Sequence, residues 1–151
     1  MRTDKLLKKL IIAVSDDNET AEAKKQKLLF VVISYFAALI GFVIALYLFF
    51  SVKNFESGLI VLAYTAVVVI NIVLFLLHRD FELHNNFFLV VSLFTPFLVH
   101  LFSIYDQNIL PIYWGLLVPF SAILIGSRKK ALFWTVDYLA LILFTSIIDR
   151  Y

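Results

Sequence analysis

The chain contains no cysteine, which removes disulfides, thiolate metal sites and thiol chemistry together. Glycine occurs only four times, and no Gly-rich loop of the kind that cradles phosphate is present. Charge is scarce as well: 16% of residues are Asp, Glu, Lys or Arg, against 62% hydrophobic. With a mean hydropathy of +0.94 there is too little polar surface to cover a soluble domain, so composition places the chain in the membrane class. The longest hydrophilic piece, residues 1–27, falls below the roughly 40 residues that a self-standing fold needs. No acid–base pair or nucleophile constellation stands out, so no enzymatic activity, cofactor, resident metal or nucleic-acid partner is expected of these residues. The opening MRTDKLLKKLIIAV is not read as a signal peptide. Lys8 and Lys9 interrupt its apolar part, and Ser15-Asp16-Asp17 follows without a small-residue cleavage site.

What is abundant is long apolar sequence. Five runs, 28–52, 57–77, 87–105, 109–127 and 131–148, each approach the roughly 20 residues that a helix needs to cross a hydrocarbon core. They are rich in Leu, Ile, Val and Phe and lack the alternation of an outer-membrane strand. The expectation is an all-α integral membrane bundle of five transmembrane helices spanning 28–151, preceded by a cytoplasmic segment, 1–27. Within that segment Leu6, Leu7, Leu10, Ile11 and Val14 recur at helical spacing among Lys5, Lys8 and Lys9, as in a basic amphipathic helix lying on anionic headgroups. Asp16 and Glu19 are spaced as a capping pair for a helix that continues into the first run.

Cations fix the expected orientation. Arg2, Lys5, Lys8, Lys9, Lys24, Lys25, Lys27, Arg79, Arg128, Lys129 and Lys130 all fall in alternate hydrophilic segments, leaving only Lys53 and Arg150 for the other side. The positive-inside rule then puts the N-terminus in the cytoplasm and, after five spans, Tyr151 outside. The basic hairpin between Tyr113-Trp114 and Trp134 has the aromatic flanks that suit the headgroup level.

Few polar groups lie at membrane depth. Asp137, about 9 Å into the fifth run, is costly there and is either functional or tied to Lys129, Lys130 or a neighbouring amide. Asn71, at similar depth in the second run, is a possible partner for it, on a stripe with Tyr64 and His78. His100 shares a face with Ser92, Pro96 and Ser103, and with Tyr113 and Trp114 it could line an outward pocket for a small ligand such as a quinone-like signal. The rival reading is a packed, hydrogen-bonded imidazole. A bis-histidine haem is not expected, because His78 and His84 lie on the opposite side from His100. His78 and His84, with Asp80 and Glu82, read as a solvated loop. Ala37, Gly41 and Ala45 form a small-residue ladder on which another helix can approach closely, and a homodimer through the membrane helices is expected there or along the Asn71 stripe. Pro96 and Pro119 are placed to kink their helices.

Two segments carry a resemblance. Ser15-Asp16-Asp17-Asn18-Glu19-Thr20, followed by Lys25, Lys27 and Leu28, resembles the lead into the first span of bacterial membrane-bound class III adenylyl/guanylyl cyclases. Trp114, Leu116, Leu117, Pro119 and Ala122, then Arg128, Ala131 and Trp134, are similar to that family's W-x-L-L-x-P-x-x-A and R-x-x-A-x-x-W patterns. Phe120-Ser121 departs from the Leu-Gly that often follows the proline, and related modules also precede sensor histidine kinases. The resemblance implies a bacterial inner-membrane sensory and anchoring module, a sixth span beyond Tyr151, and a cytoplasmic domain making cyclic AMP. None of that family's catalytic residues falls within these positions. The rival expectation is a small membrane subunit or a piece of a transporter.

Overall fold

A computed structural model describes residues 19–102, 115–125 and 128–148. Helix α1 (Ala21–Tyr47) runs into a single π-helical turn, Leu48–Val52, and is followed by α2 (Phe55–His78), α3 (Phe81–Phe102), α4 (Leu117–Ile125) and α5 (Arg128–Ile148). The fold is all-α, with no strand among the described residues. Four helical stretches, Ala21–Val52, Phe55–His78, Phe81–Phe102 and Arg128–Ile147, are long and apolar enough to cross a bilayer.

Local chemistry sets the boundaries. The Thr20 hydroxyl accepts the Ala23 N–H at 3.3 Å, and Glu22 sits in the first turn, where the helix dipole favours an acid. The cap is therefore Thr20, four residues after the Asp16 expected for that role; Asp16 itself lies outside the described residues, as does the basic amphipathic segment up to residue 18. Behind the cap, Lys27 is buried and forms an ion pair with Glu19. At the other end of α1, Lys53 adopts the left-handed conformation (φ 58°) and Asn54 caps α2 by accepting the Ser57 N–H at 3.0 Å. Gly58 permits this tight reversal, since a Cβ there would stand 2.8 Å from the ring of Phe49. Arg79, also left-handed at 58°, closes α2 by donating its N–H to the Phe75 carbonyl, and the Asp80 carboxylate accepts the Leu83 N–H to open α3.

That cap moves a boundary. The third apolar run is expected to begin at residue 87, yet α3 starts at Phe81, so His84 and Asn85 lie in a helix and are buried. The fifth run likewise gains a turn, because Arg128, Lys129 and Lys130 are helical rather than a bare loop. The fourth run, 109–127, is described only from residue 115, where a turn leads into the nine-residue α4. Pro119 does not kink that helix: it occupies the first turn, where its missing N–H has no intrahelical partner to lose. Pro96 does sit inside α3, so the Ser92 carbonyl one turn earlier lacks its usual backbone donor.

The core is centred on Phe30, fully buried, which meets Phe75, Phe81 and Phe88 edge-to-face at centroid distances of 5.1, 6.0 and 6.0 Å. Leu89, Leu93 and Phe97 continue it along α3 to Ala122 and Ile125 of α4 and to Trp134 and Tyr138 of α5. The periphery is equally apolar: Phe36, Phe50, Leu77, Phe120, Leu132 and Phe144 all face outward. A surface of that kind finds a compatible solvent in acyl chains.

Candidate functional site: polar contacts inside an apolar bundle

Within such a core, hydrogen bonds and close backbone approach decide which helices hold each other, because apolar contact with lipid is as favourable as contact between helices. The closest approach described is between α1 and α2. Ala37, Gly41 and Ala45 are all buried, and a Cβ on Gly41 would lie 2.7 Å from Thr65 Oγ1 and 3.3 Å from the Tyr64 ring. At Gly41, the middle of the ladder expected to receive a second copy, α2 of the same chain makes the close approach.

Two polar ties join α2 to α3. Asn71 donates from Nδ2 to the His84 carbonyl at 3.0 Å, and its Oδ1 lies 2.7 Å from His84 Nδ1. An amide oxygen only accepts, so Nδ1 carries the ring proton and Nε2 keeps its lone pair. Nε2 is buried without a hydrogen-bond partner among the described residues. Phe75 packs edge-on against this imidazole, and His78 stacks on it at 6.2 Å. His78 Nδ1 faces the Leu74 carbonyl at 3.0 Å, which fixes its proton in the same way. Two imidazoles are too few to hold a metal, and the described residues contain no group of three such ligands. About two helical turns earlier in α2, the second tie is Tyr64 OH to Ser92 Oγ at 3.1 Å.

Asn71 is therefore engaged by His84, not by Asp137; on the same stripe Tyr64 is bonded to Ser92 of α3, while His78 is exposed. Asp137 is half-buried on α5, with no hydrogen bond or ion pair among the described residues. The Lys130 expected beside it instead reaches Glu82 of α3 at 3.0 Å. That bridge is exposed, and such pairs contribute less than about 1 kcal/mol. His100 is half-buried near the end of α3, while Tyr113 and Trp114 lie outside the described residues.

Beside the second tie, a crevice of about 150 Å³ opens between α1, α3 and α4. Ile33, Ala37, Phe88 and Leu117 form its walls, and Tyr64, Ser92 and Ser121 bring hydroxyls to an otherwise apolar lining. The sequence does not single out these three hydroxyls as one site, because a hydroxyl in a Leu- and Val-rich run costs little and stands out less than an ionisable group. His84 was misplaced for a different reason, and Asp80, a good N-cap residue just before Phe81, was the signal that could have corrected it. Comparison with family models, with curated proteins and with solved structures finds no match.

Proposed function

We propose that this chain is a multi-pass membrane module of sensory and anchoring type, in which α4 and α5 shift as a unit against a firmer core made of α1, α2 and α3. One observation carries this reading: the helices are held unequally. Half of the apolar window of α3 is buried inside the bundle, but only 22% of that of α5. Among the described residues the Asn71–His84 and Tyr64–Ser92 ties both join α2 to α3, whereas α5 meets α3 through the Phe97–Tyr138 ring contact and the exposed Lys130–Glu82 bridge. An element with few buried contacts opens at low free energy, and a signal that favours one of its two placements shifts the population between them.

The cation distribution supports a cytoplasmic location for the 79–80 and 128–130 ends of the bundle. The similarity to class III cyclase membrane regions supports cyclic-nucleotide signalling as the process served. A homodimer, if that process uses one, would form on faces other than the one that α2 meets at Gly41.

Because the chain is free of cysteine, pairs of spin labels can be placed without background. Labels at Leu76 and Val90, on α2 and α3, should give one narrow distance distribution in nanodiscs. Labels at Val90 and Leu139, on α3 and α5, should give a broad or two-component one. Equally narrow distributions for both pairs would overturn the proposal.

A further inference from the structure

We infer that the crevice between α1, α3 and α4 is a lateral binding site for a small uncharged lipophile: a single ring carrying one carbonyl oxygen, inserted from the bilayer. The bearing of this inference on signalling rests on the module reading above; the binding itself does not.

Depth comes first. Ser92 stands eleven residues after Phe81 and ten before Phe102, so the crevice lies at mid-helix. That places it about 16 Å from the start of α3, near the middle of a hydrocarbon core about 30 Å thick. Phe36 and Ile40, both substantially exposed, border the crevice, so it opens towards the lipid and not towards water. A ligand reaching it must first dissolve in the bilayer, which selects against charge.

Size comes second. An apolar cavity of about 150 Å³ is the size that admits benzene, so the crevice takes one ring and not a whole lipid. Any tail on the ring would trail out past Phe36 into the acyl chains.

Chemistry comes third. Ser121 is buried and lines the crevice, yet its hydroxyl has no hydrogen bond among the described residues. In a lipid-facing cavity no bulk water is at hand to satisfy it, and an acceptor brought by a ligand would do so. Tyr64 and Ser92 are bonded to each other and form a polar floor beside it. Their mutual bond uses one of that pair's two hydroxyl protons, and Ser121 adds a donor outside it; a few convergent hydroxyls in apolar walls are what orient a small molecule and separate it from a plain hydrocarbon. Because α4 supplies Ser121 and Leu117 while α1 and α3 supply the facing wall, an occupant would bridge the α4–α5 unit to the core.

The test uses two probes of nearly the same shape, 4-fluoroacetophenone and 4-fluorocumene, followed by fluorine NMR on the whole chain in nanodiscs, with empty nanodiscs as the partitioning control. Expected is saturable binding above the control, with the ketone bound about fivefold more tightly per bilayer concentration, the weight of one neutral hydrogen bond. Ser121→Ala should bring that ratio close to one while leaving the cumene affinity and the helical circular dichroism unchanged. Ala37→Leu, which projects into the crevice, should abolish binding of both. No saturable binding, equal affinities on the unaltered chain, or a ratio that survives Ser121→Ala would each overturn the inference. The spin-label distances of the module test can fail while this binding succeeds, and the reverse, so the two readings are separable.

Discussion

Replacing Gly41 by Ala measures how closely α1 and α2 touch. The added Cβ would stand 2.7 Å from Thr65 Oγ1 and 3.3 Å from Tyr64 Cδ1, so the helices must part by a few tenths of an ångström or Thr65 must turn. Turning is resisted, because the same Oγ1 donates to the Val61 carbonyl at 3.0 Å. Overpacking of this kind costs about 1–3 kcal/mol. Against it stands the gain of about 1 kcal/mol when Ala replaces Gly inside a helix. The net expectation for Gly41→Ala is a loss of about 1 kcal/mol. In a Thr65→Ala background the opposing oxygen is gone, so the same change should become neutral or stabilising. The double-mutant cycle should therefore show a coupling of about 1–2 kcal/mol, free of the propensity terms that both backgrounds share. Reversible unfolding in mixed micelles by SDS titration, followed by circular dichroism, reads all four variants. Additive effects, or a gain of about 1 kcal/mol from Gly41→Ala alone, would refute the close α1–α2 contact.

Other substitutions separate the remaining contacts. Asn71→Leu removes both bonds to His84 and leaves a buried Nδ1–H without an acceptor; it should cost about 1–2 kcal/mol in the same unfolding assay. Adding His84→Leu should recover part of that loss, since both polar partners are then gone, and a further loss would contradict the pairing. Lys53→Gly relieves a left-handed residue and should raise stability by about 1 kcal/mol, whereas a fall would mean that the turn at φ 58° is wrong. Glu82→Gln breaks an exposed bridge in which the acid is 76% accessible, and the free energy of unfolding should change by less than about 0.5 kcal/mol.

The helical architecture was legible because long Leu- and Val-rich runs permit little else, and the closeness of α1 to another helix was legible in Ala37, Gly41 and Ala45. Which helix takes that place was not: a small-residue stripe says that something approaches, but α2 of the same chain and a second copy satisfy it equally well. Apolar periodicity also misjudged where α3 begins. Asp80, Glu82, His84 and Asn85 read as water-facing, yet the Asp80 cap turns them into a helix and Asn71 then draws His84 inward. The crevice at Ser121 lay beyond sequence reading altogether. A cavity belongs to several helices at once, and no single run records the space left between them.

The claim underlying the whole account is that α2 crosses a bilayer, carrying the chain from one face of the membrane to the other. Lys53 and Arg79 bracket that helix, and a chain without native cysteine makes single Lys53→Cys and Arg79→Cys variants clean reporters. A membrane-impermeant maleimide added to intact cells should label Lys53→Cys and should reach Arg79→Cys only after the membrane is opened; labelling of both from the same side would contradict the account.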